Sequence, residues 1–157
     1  MATITRKRNP LMFGGASPFG NLTALSFAIA TNASGAVIES NSTAAVASGD
    51  VIEIGLLPCG MRLDDAQIII TTGMTASVTG SLGFKYADGV DSTEVPQDAA
   101  YFISAGALSN TARLRANGTK LVTLPKDAIL TLTTGGAANA KSSDIKIVVT
   151  GELTGPR

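Results

Sequence analysis

The side chains that most often carry out acid–base chemistry or bind transition metals are scarce in this sequence. It has 157 residues with no histidine, and Cys59 is its only cysteine. Without histidine the chain lacks the usual general base near neutral pH and the commonest ligand of zinc and copper. A lone thiol cannot form a disulfide within the chain. With no histidine to activate it, we expect Cys59 to be a buried or partly buried structural residue.

Carboxylates are the remaining candidates for chemistry, and two groups of them lie close together in sequence. The first group contains Asp88, Asp91, Glu94 and Asp98. Oxygen ligands of this kind bind calcium, but their spacing differs from that of an EF-hand loop, so a solvated acidic loop is the simpler interpretation. Asp64 and Asp65 are adjacent and would point to opposite faces of a strand, so they could not converge on one substrate atom. The sequence therefore predicts no catalytic residue, no metal site, no cofactor and no enzymatic activity.

The N-terminal region carries a small basic cluster. The formal net charge is zero, yet Arg6, Lys7 and Arg8 are the only charged residues before Glu39. Three cations are too few to make nucleic acid or an anionic membrane the main partner, so we expect neither. No run of the roughly 20 apolar residues that a spanning helix needs is present. The segment after the cluster is interrupted by Gly and Pro, which is not typical of a secretory signal.

Residues 1–20 lack the periodicity of a helix or a strand but contain several large apolar side chains. These are Leu11, Met12, Phe13 and Phe19. A purely flexible linker has no use for such side chains, whereas a segment that becomes ordered on a partner does. We therefore predict that residues 1–20 form an extended N-terminal arm that docks on a neighbouring molecule. Its partner-binding residues would be these four together with Arg6, Lys7 and Arg8.

From residue 21 onward the pattern is that of β-structure. Leu25, Phe27 and Ile29 alternate with small or polar residues, which places large side chains on one face of a strand. Further strand-like runs span residues 36–39, 50–56, 61–72, 77–86, 110–116, 121–124, 129–134 and 144–153. Gly55 is expected to mark a bulge, and the triplet 68–70, all Ile, to lie in a central strand covered on both faces. Residues 98–108 fit either a short helix or a strand.

A strand–corner–strand plan occurs twice in the chain. Residues 50–72, DVIEIGLLPCGMRLDDAQIIITT, and residues 120–134, KLVTLPKDAILTLTT, both turn at Leu-Pro and end in a Thr pair. Proline fixes φ at such a corner, so each unit is expected to join two strands. Two such units, and eight or so strands spaced about 8 to 15 residues apart, predict one antiparallel β-sandwich or jelly-roll domain over residues 21–157.

The order of these motifs from Val51 to Thr150 resembles the small jelly-roll head decoration, or cement, proteins of tailed bacteriophages. The shared features are a strand before Leu-Pro-x-Gly, a Gly-punctuated strand with Gly-Phe, a polar loop, a second Leu-Pro, a Gly turn and a final Ile-x-Ile-Val-Val strand. The resemblance covers about two thirds of the chain. It implies a homo-oligomer, with a trimer favoured and a dimer also possible, made in the host cytoplasm and placed on the outer surface of the virion. There it would stabilise the icosahedral head by bridging neighbouring major capsid proteins.

Two other functions fit the same strand pattern. One is a structural module of a phage tail or baseplate, and the other is a glycan-binding adhesin sandwich. Exposed aromatic side chains would favour the adhesin, because sugars stack on flat rings. The chain has no Trp, and its only tyrosines are Tyr86 and Tyr101.

Overall fold

The structure is a computed structural model of the chain and describes residues 1–6 and 20–154. These ranges contain strands and no helix. The strands are β1 (Thr3–Thr5), β2 (Leu22–Thr31), β3 (Val51–Leu57), β4 (Met61–Thr72), β5 (Val78–Tyr86), β6 (Asp98–Ala107), β7 (Ala112–Arg115), β8 (Val122–Thr123), β9 (Ala128–Gly136) and β10 (Ser143–Leu153).

The strands form two sheets that pack face to face. The first has the order β1-β3-β9-β5-β6, and the second has the order β2-β10-β4-β7, with the short β8 also paired to β4. All neighbours are antiparallel except β1 and β3. In both sheets a late strand lies between two earlier ones: β9 lies between β3 and β5, and β10 lies between β2 and β4. Two packed, mostly antiparallel sheets without a helix confirm the predicted all-β sandwich class.

The core lies between the two sheets and follows from the alternation in the sequence. The large residues of β2, Leu25, Phe27 and Ile29, are all buried, as are Ile145 and Ile147 of β10. β2 and β10 pair over ten residues without a register shift, so their inward side chains stay in phase. The core is mainly aliphatic, because the sequence supplies Val, Ile and Leu rather than aromatic rings. Four of its rings, on β5 and β6, pack edge to face.

Three sequence-based expectations about strands are corrected or resolved by the sheets. Residues 98–107 form β6, because they pair with β5 at the edge of the first sheet. The predicted strand 36–39 is wrong, since Ala36 and Val37 make only isolated bridges and Glu39 has a φ of 57°. Ile69 is only half-buried and lies on the outer face between Lys146 and Arg113, so β4 is central in its sheet but is not covered on both faces.

Register shifts interrupt the pairing in both sheets, and two of them bear on the sequence-based expectations. The predicted bulge at Gly55 is confirmed by the register shift between Glu53 and Gly55 where β3 pairs with β9. A second shift, where β4 pairs with β10, leaves Asp64 as an extra residue between buried Leu63 and Ala66. Asp64 and Asp65 therefore both lie on the outer side of the sheet, and the expectation that they point to opposite faces is wrong.

The start of the predicted arm belongs to the body. β1 pairs with β3 in the register Thr3 to Val51, and Ile4 is buried in the core. The backbone of Ala2 donates a hydrogen bond from its N–H to Asp50 Oδ1 (2.6 Å), and its carbonyl accepts one from Val51 N (2.9 Å). Residues 1–5 are thus anchored in the first sheet, and any free arm begins after them.

Candidate interaction surface

The two ends of the sandwich differ in how they are built. The two Leu-Pro corners lie together at one end. Leu57, at the end of β3, pairs with Ala128, at the start of β9, and Ala128 also pairs with Tyr86, at the end of β5. We call this the corner end. At the opposite end lie the loops that join β2 to β3, β4 to β5 and β9 to β10, and we call it the Asn139 end.

Asn139 ties the loops of its end together. It is 1% exposed. Its Nδ2 donates to Thr31 Oγ1 (3.1 Å), Gly35 O (3.4 Å) and Lys141 O (2.8 Å), and its Oδ1 accepts from Thr75 N (3.0 Å). One buried amide therefore contacts three separate loops. Sequence reasoning missed this residue, because an Asn in a Gly-rich turn is usually read as a turn former.

The corner end is held by direct contact between the two Leu-Pro corners. Gly60 N donates to Leu124 O (2.8 Å) and Leu124 N donates to Met61 O (2.9 Å). Cys59 N donates to Asp127 Oδ1 (2.8 Å). The thiol of Cys59 is exposed, donating to Pro125 O (3.2 Å), so the expectation of a buried or partly buried Cys59 is wrong. The corner itself explains this, because it turns Cys59 away from the core that Leu57 enters.

Most of the exposed large apolar side chains of the described chain lie at the corner end. Leu22 is 70% exposed beside the end of β10, Val90 is 62% exposed in the loop after β5, and Leu121 is 65% exposed before β8. Met1 and Ile38, at the other end, complete the set. Because these three side chains share one end of the domain, that end is the candidate for a protein contact. None of the three was predicted to be exposed, because no local pattern distinguishes them from the apolar residues that enter the core.

The acidic loop 87–97 is held against the corner end by Lys126. Its Nζ lies 2.7 Å from Asp88 Oδ2 and 4.6 Å from the centre of the Tyr86 ring. The hydrogen bond from Lys126 holds the pKa of Asp88 below its ordinary value. Asp91 Oδ1 accepts instead from the backbone N–H groups of Ser92 and Gln97. Within residues 1–6 and 20–154 no group of carboxylates is placed to hold a metal ion.

A groove of about 290 Å³ opens between this loop and the start of β6. Its apolar wall comes from Phe84, Val95 and Val122, and its polar rim includes Glu94, Asp98 and Lys120. We call it the acidic groove, because the neighbouring loop adds further carboxylates. An apolar wall with a charged rim is the arrangement found in protein interfaces, so the groove suits side chains of a partner.

Neither tyrosine offers an exposed ring for a sugar. Tyr86 is 1% exposed and Tyr101 is 6% exposed. The hydroxyl of Tyr86 donates to Val95 O, and that of Tyr101 donates to Lys120 O (2.8 Å). Burial raises the pKa of both phenols. The two rings are therefore structural, and they brace the acidic groove from inside.

A second groove, of about 220 Å³, lies where β1 ends. It is lined by Thr5 and Arg6 together with residues of β3 and by Ile129. Glu53 ties this region together, accepting from Thr5 Oγ1 (2.8 Å) and pairing with Lys85 Nζ (2.7 Å). Burial raises the pKa of Glu53, but the hydrogen bonds from Lys85 and Thr5 outweigh it and leave the pKa below its ordinary value.

The predicted partner-binding residues fall largely outside the described ranges. Arg6 lies at the end of β1, where it forms an isolated bridge with Ser40. The other six residues are Lys7, Arg8, Leu11, Met12, Phe13 and Phe19, and all lie outside the residues that the structure describes. Their role as an arm stays a prediction. The described part of the chain also contains no helix long and apolar enough to cross a membrane.

Comparison with known proteins gives a likeness of fold. No protein-family model and no curated protein matches the chain. Among solved structures it is similar to a chain in the capsid of Ralstonia phage GP4, at 15% identity, 99% coverage of both chains and a TM-score of 0.69. It is also similar to a chain in the capsid asymmetric unit of cyanophage Pam1, at 16% identity, with 91% of this chain and 92% of that chain covered and a TM-score of 0.59. At such identities the likeness concerns the fold.

Proposed function

We propose that this chain is a structural protein of a bacteriophage virion that decorates the outer surface of the icosahedral head and bridges neighbouring major capsid proteins. The observation that carries the proposal is the whole-length likeness to a chain in the Ralstonia phage GP4 capsid, which covers 99% of both chains. A likeness that covers nearly all of both chains supports a similar construction of the sandwich.

The shape of the body fits a role in which it acts as a rigid clip without enzymatic activity. Asn139 closes one end through hydrogen bonds, and the paired Leu-Pro corners close the other. Leu22, Val90 and Leu121 then give the corner end an apolar surface on a stiff base. Such a surface loses little conformational entropy on binding, which favours tight contact with a neighbour.

The arm would supply a second contact with a neighbouring molecule. Burying Leu11, Met12, Phe13 and Phe19 on a neighbour would contribute on the order of 6 to 10 kcal/mol before the cost of ordering the segment. Repetition over a shell multiplies such contacts into strong avidity. A trimer of this chain would place three arms around one symmetry axis. The proposed homotrimer is tested by light scattering after size-exclusion chromatography, where a monomer at micromolar concentration would contradict it.

Head binding is tested with an internal replacement of the arm. Because Ile4 is buried in the core, a deletion of residues 1–20 would damage the body. Replacing residues 7–19 with a Gly-Ser segment of equal length keeps β1 in place. The wild-type protein should sediment with heads that lack it, and the replacement variant should stay in the supernatant. Ser26→Ala, an exposed change on β2, is the matched control and should sediment like the wild type.

Two results would overturn the proposal. One is failure of the wild-type chain to sediment with heads. The other is a map of the virion that places this chain in the tail or baseplate.

A further inference from the structure

The acidic groove and the arm have complementary chemistry. The carboxylates of Glu94 and Asp98 line the groove against the ammonium group of Lys120. The adjoining loop adds Asp91, and Asp88 beside Lys126. Residues 7–13, KRNPLMF, begin with two cations and end with three large apolar residues. Cations followed by apolar side chains match an acidic rim around an apolar wall.

The ion pair at the rim of the groove is long and exposed. Lys126 is engaged with Asp88 at 2.7 Å, whereas Lys120 approaches Asp98 only to 3.6 Å and is 72% exposed. Glu94 is exposed at the mouth of the groove. An incoming arginine or lysine can therefore reach Glu94 and Asp98 without displacing a buried ion pair.

The position of the groove argues against occupation by the arm of the same chain. The arm leaves β1 at one edge of the first sheet, whereas the groove lies beside β5 and β6 at the other edge. Four strand spacings of about 4.8 Å separate these edges, or about 19 Å in a straight line through the sheet. The six residues from Arg6 to Met12 span at most about 21 Å when fully extended. A chain that must pass around the sheet, and not through it, cannot bring Met12 to its own groove.

The other end of the arm is held at the corner end of the second sheet, where Gly20 donates from its N–H to Leu153 O (2.9 Å). The two cations of the arm, however, lie only one and two residues after Arg6, or at most about 7 Å of extended chain. They therefore cannot reach the groove of the same chain, which lies beside β5 and β6 at the far edge of the first sheet. A neighbouring copy, by contrast, can present its groove directly to the arm.

We propose that the acidic groove binds residues 7–13 of a second copy of this chain, with Lys7 and Arg8 facing Glu94 and Asp98 and the apolar residues 11–13 against Phe84, Val95 and Val122. This inference deepens the proposed function, on which it rests for its purpose, and names the partner of the arm. A ring of copies, each holding the arm of the next, would be closed by contacts that a single chain cannot make.

Cross-linking between copies tests the proposal with the full chain. In a Cys59→Ser background, Met12→Cys and Pro96→Cys are introduced into separate proteins, which are mixed and treated with a short bis-maleimide. The expected product is a heterodimer that contains one chain of each kind. Ser26→Cys, on the exposed face of β2, replaces Pro96→Cys in the control and should give at least fivefold less product. Equal yields from the two pairs, or no heterodimer, would overturn the proposal.

Charge variants test which surface is used. Glu94→Gln with Asp98→Asn should weaken the contact about fivefold to tenfold, since two partly exposed ion pairs are lost. Asp65→Asn, a loss of charge on the outer face of the second sheet, is the matched control. The binding readout is the fluorescence anisotropy of a labelled peptide of residues 6–20, added to the variant in which residues 7–19 are a Gly-Ser segment. Absence of peptide binding, or binding that ignores the groove charges, would overturn the proposal.

Failure of this proposal can be told apart from failure of the proposed function. Cross-linking and anisotropy use the purified protein alone, whereas decoration is measured by sedimentation with heads. A chain that sediments with heads but gives no cross-link would refute the arm-in-groove contact only. A chain that cross-links but never binds heads would refute head decoration only.

Discussion

Replacing Asn139 with alanine should destabilise the protein by about 2 to 4 kcal/mol. The side chain is almost fully buried and makes several hydrogen bonds that tie three loops to each other. Alanine keeps the backbone bond from Asn139 N to Val46 O but removes every side-chain contact.

The size of this loss depends on which hydrogen bonds the partners of Asn139 keep in the alanine variant. Gly35 O still accepts from Val46 N, and Lys141 O still accepts from Thr31 Oγ1, so these acceptors lose little. Thr75 N has the Oδ1 of Asn139 as its partner and becomes an unsatisfied donor, which costs about 1 to 3 kcal/mol. The lost net contribution of the remaining bonds adds about 1 kcal/mol.

Urea unfolding followed by circular dichroism measures this effect. Both proteins must be compared at one concentration, because self-association adds to apparent stability. Asn117→Ala, at an exposed position, is the matched control and should change the free energy of unfolding by less than about 0.5 kcal/mol. If Asn139→Ala behaves like this control, the role assigned to Asn139 in holding its end together is wrong.

Three further changes probe the body. Gly55→Ala would place a Cβ 2.3 Å from Phe27 Cε1, so we expect a loss of about 1 to 3 kcal/mol in urea unfolding, and an unchanged midpoint would contradict the tight approach. Glu53→Gln removes a carboxylate whose pKa is lowered in the fold, mainly by Lys85 acting against burial. The stability that this group contributes is present above its ordinary pKa of 4.5 and is lost as the pH falls through the folded value. The variant should therefore lose less stability than the wild type between pH 6 and about pH 3, and parallel pH profiles would refute this. Cys59→Ser keeps a donor at an exposed site and should shift stability by less than about 0.5 kcal/mol, whereas a loss above about 1 kcal/mol would mean that the thiol is packed.

The strand pattern was predictable wherever alternation is strict. The strand through Leu25, Phe27 and Ile29 was predicted, and the bounds of β10 were predicted within one residue, because the large side chains of both strands repeat with the period of a pleated strand. The bulge at Gly55 was predictable as well, since a glycine interrupts the alternation there. Segment 98–108 was ambiguous because its apolar residues fit two periods, and only pairing with β5 decided between them.

The sequence-based predictions were wrong where contacts between residues distant in sequence determine the local structure. The sequence suggested that Asp64 and Asp65 point to opposite faces, but pairing with β10 inserts a bulge that turns both outward. Cys59 was expected to be at least partly buried, yet the corner against Pro125 exposes its thiol. Neither partner is near in sequence, so no local pattern could have shown these contacts.

The sequence by itself determined the class of the molecule: an all-β body with an aliphatic core and no histidine chemistry, because side-chain period and composition are properties of the chain alone. Only the tertiary structure decided which surface is available. It anchored residues 3–5 in the first sheet, gathered Leu22, Val90 and Leu121 at one end and opened the acidic groove far from the base of the arm. Strand order sets these distances, and strand order depends on pairings between residues that lie far apart in the sequence.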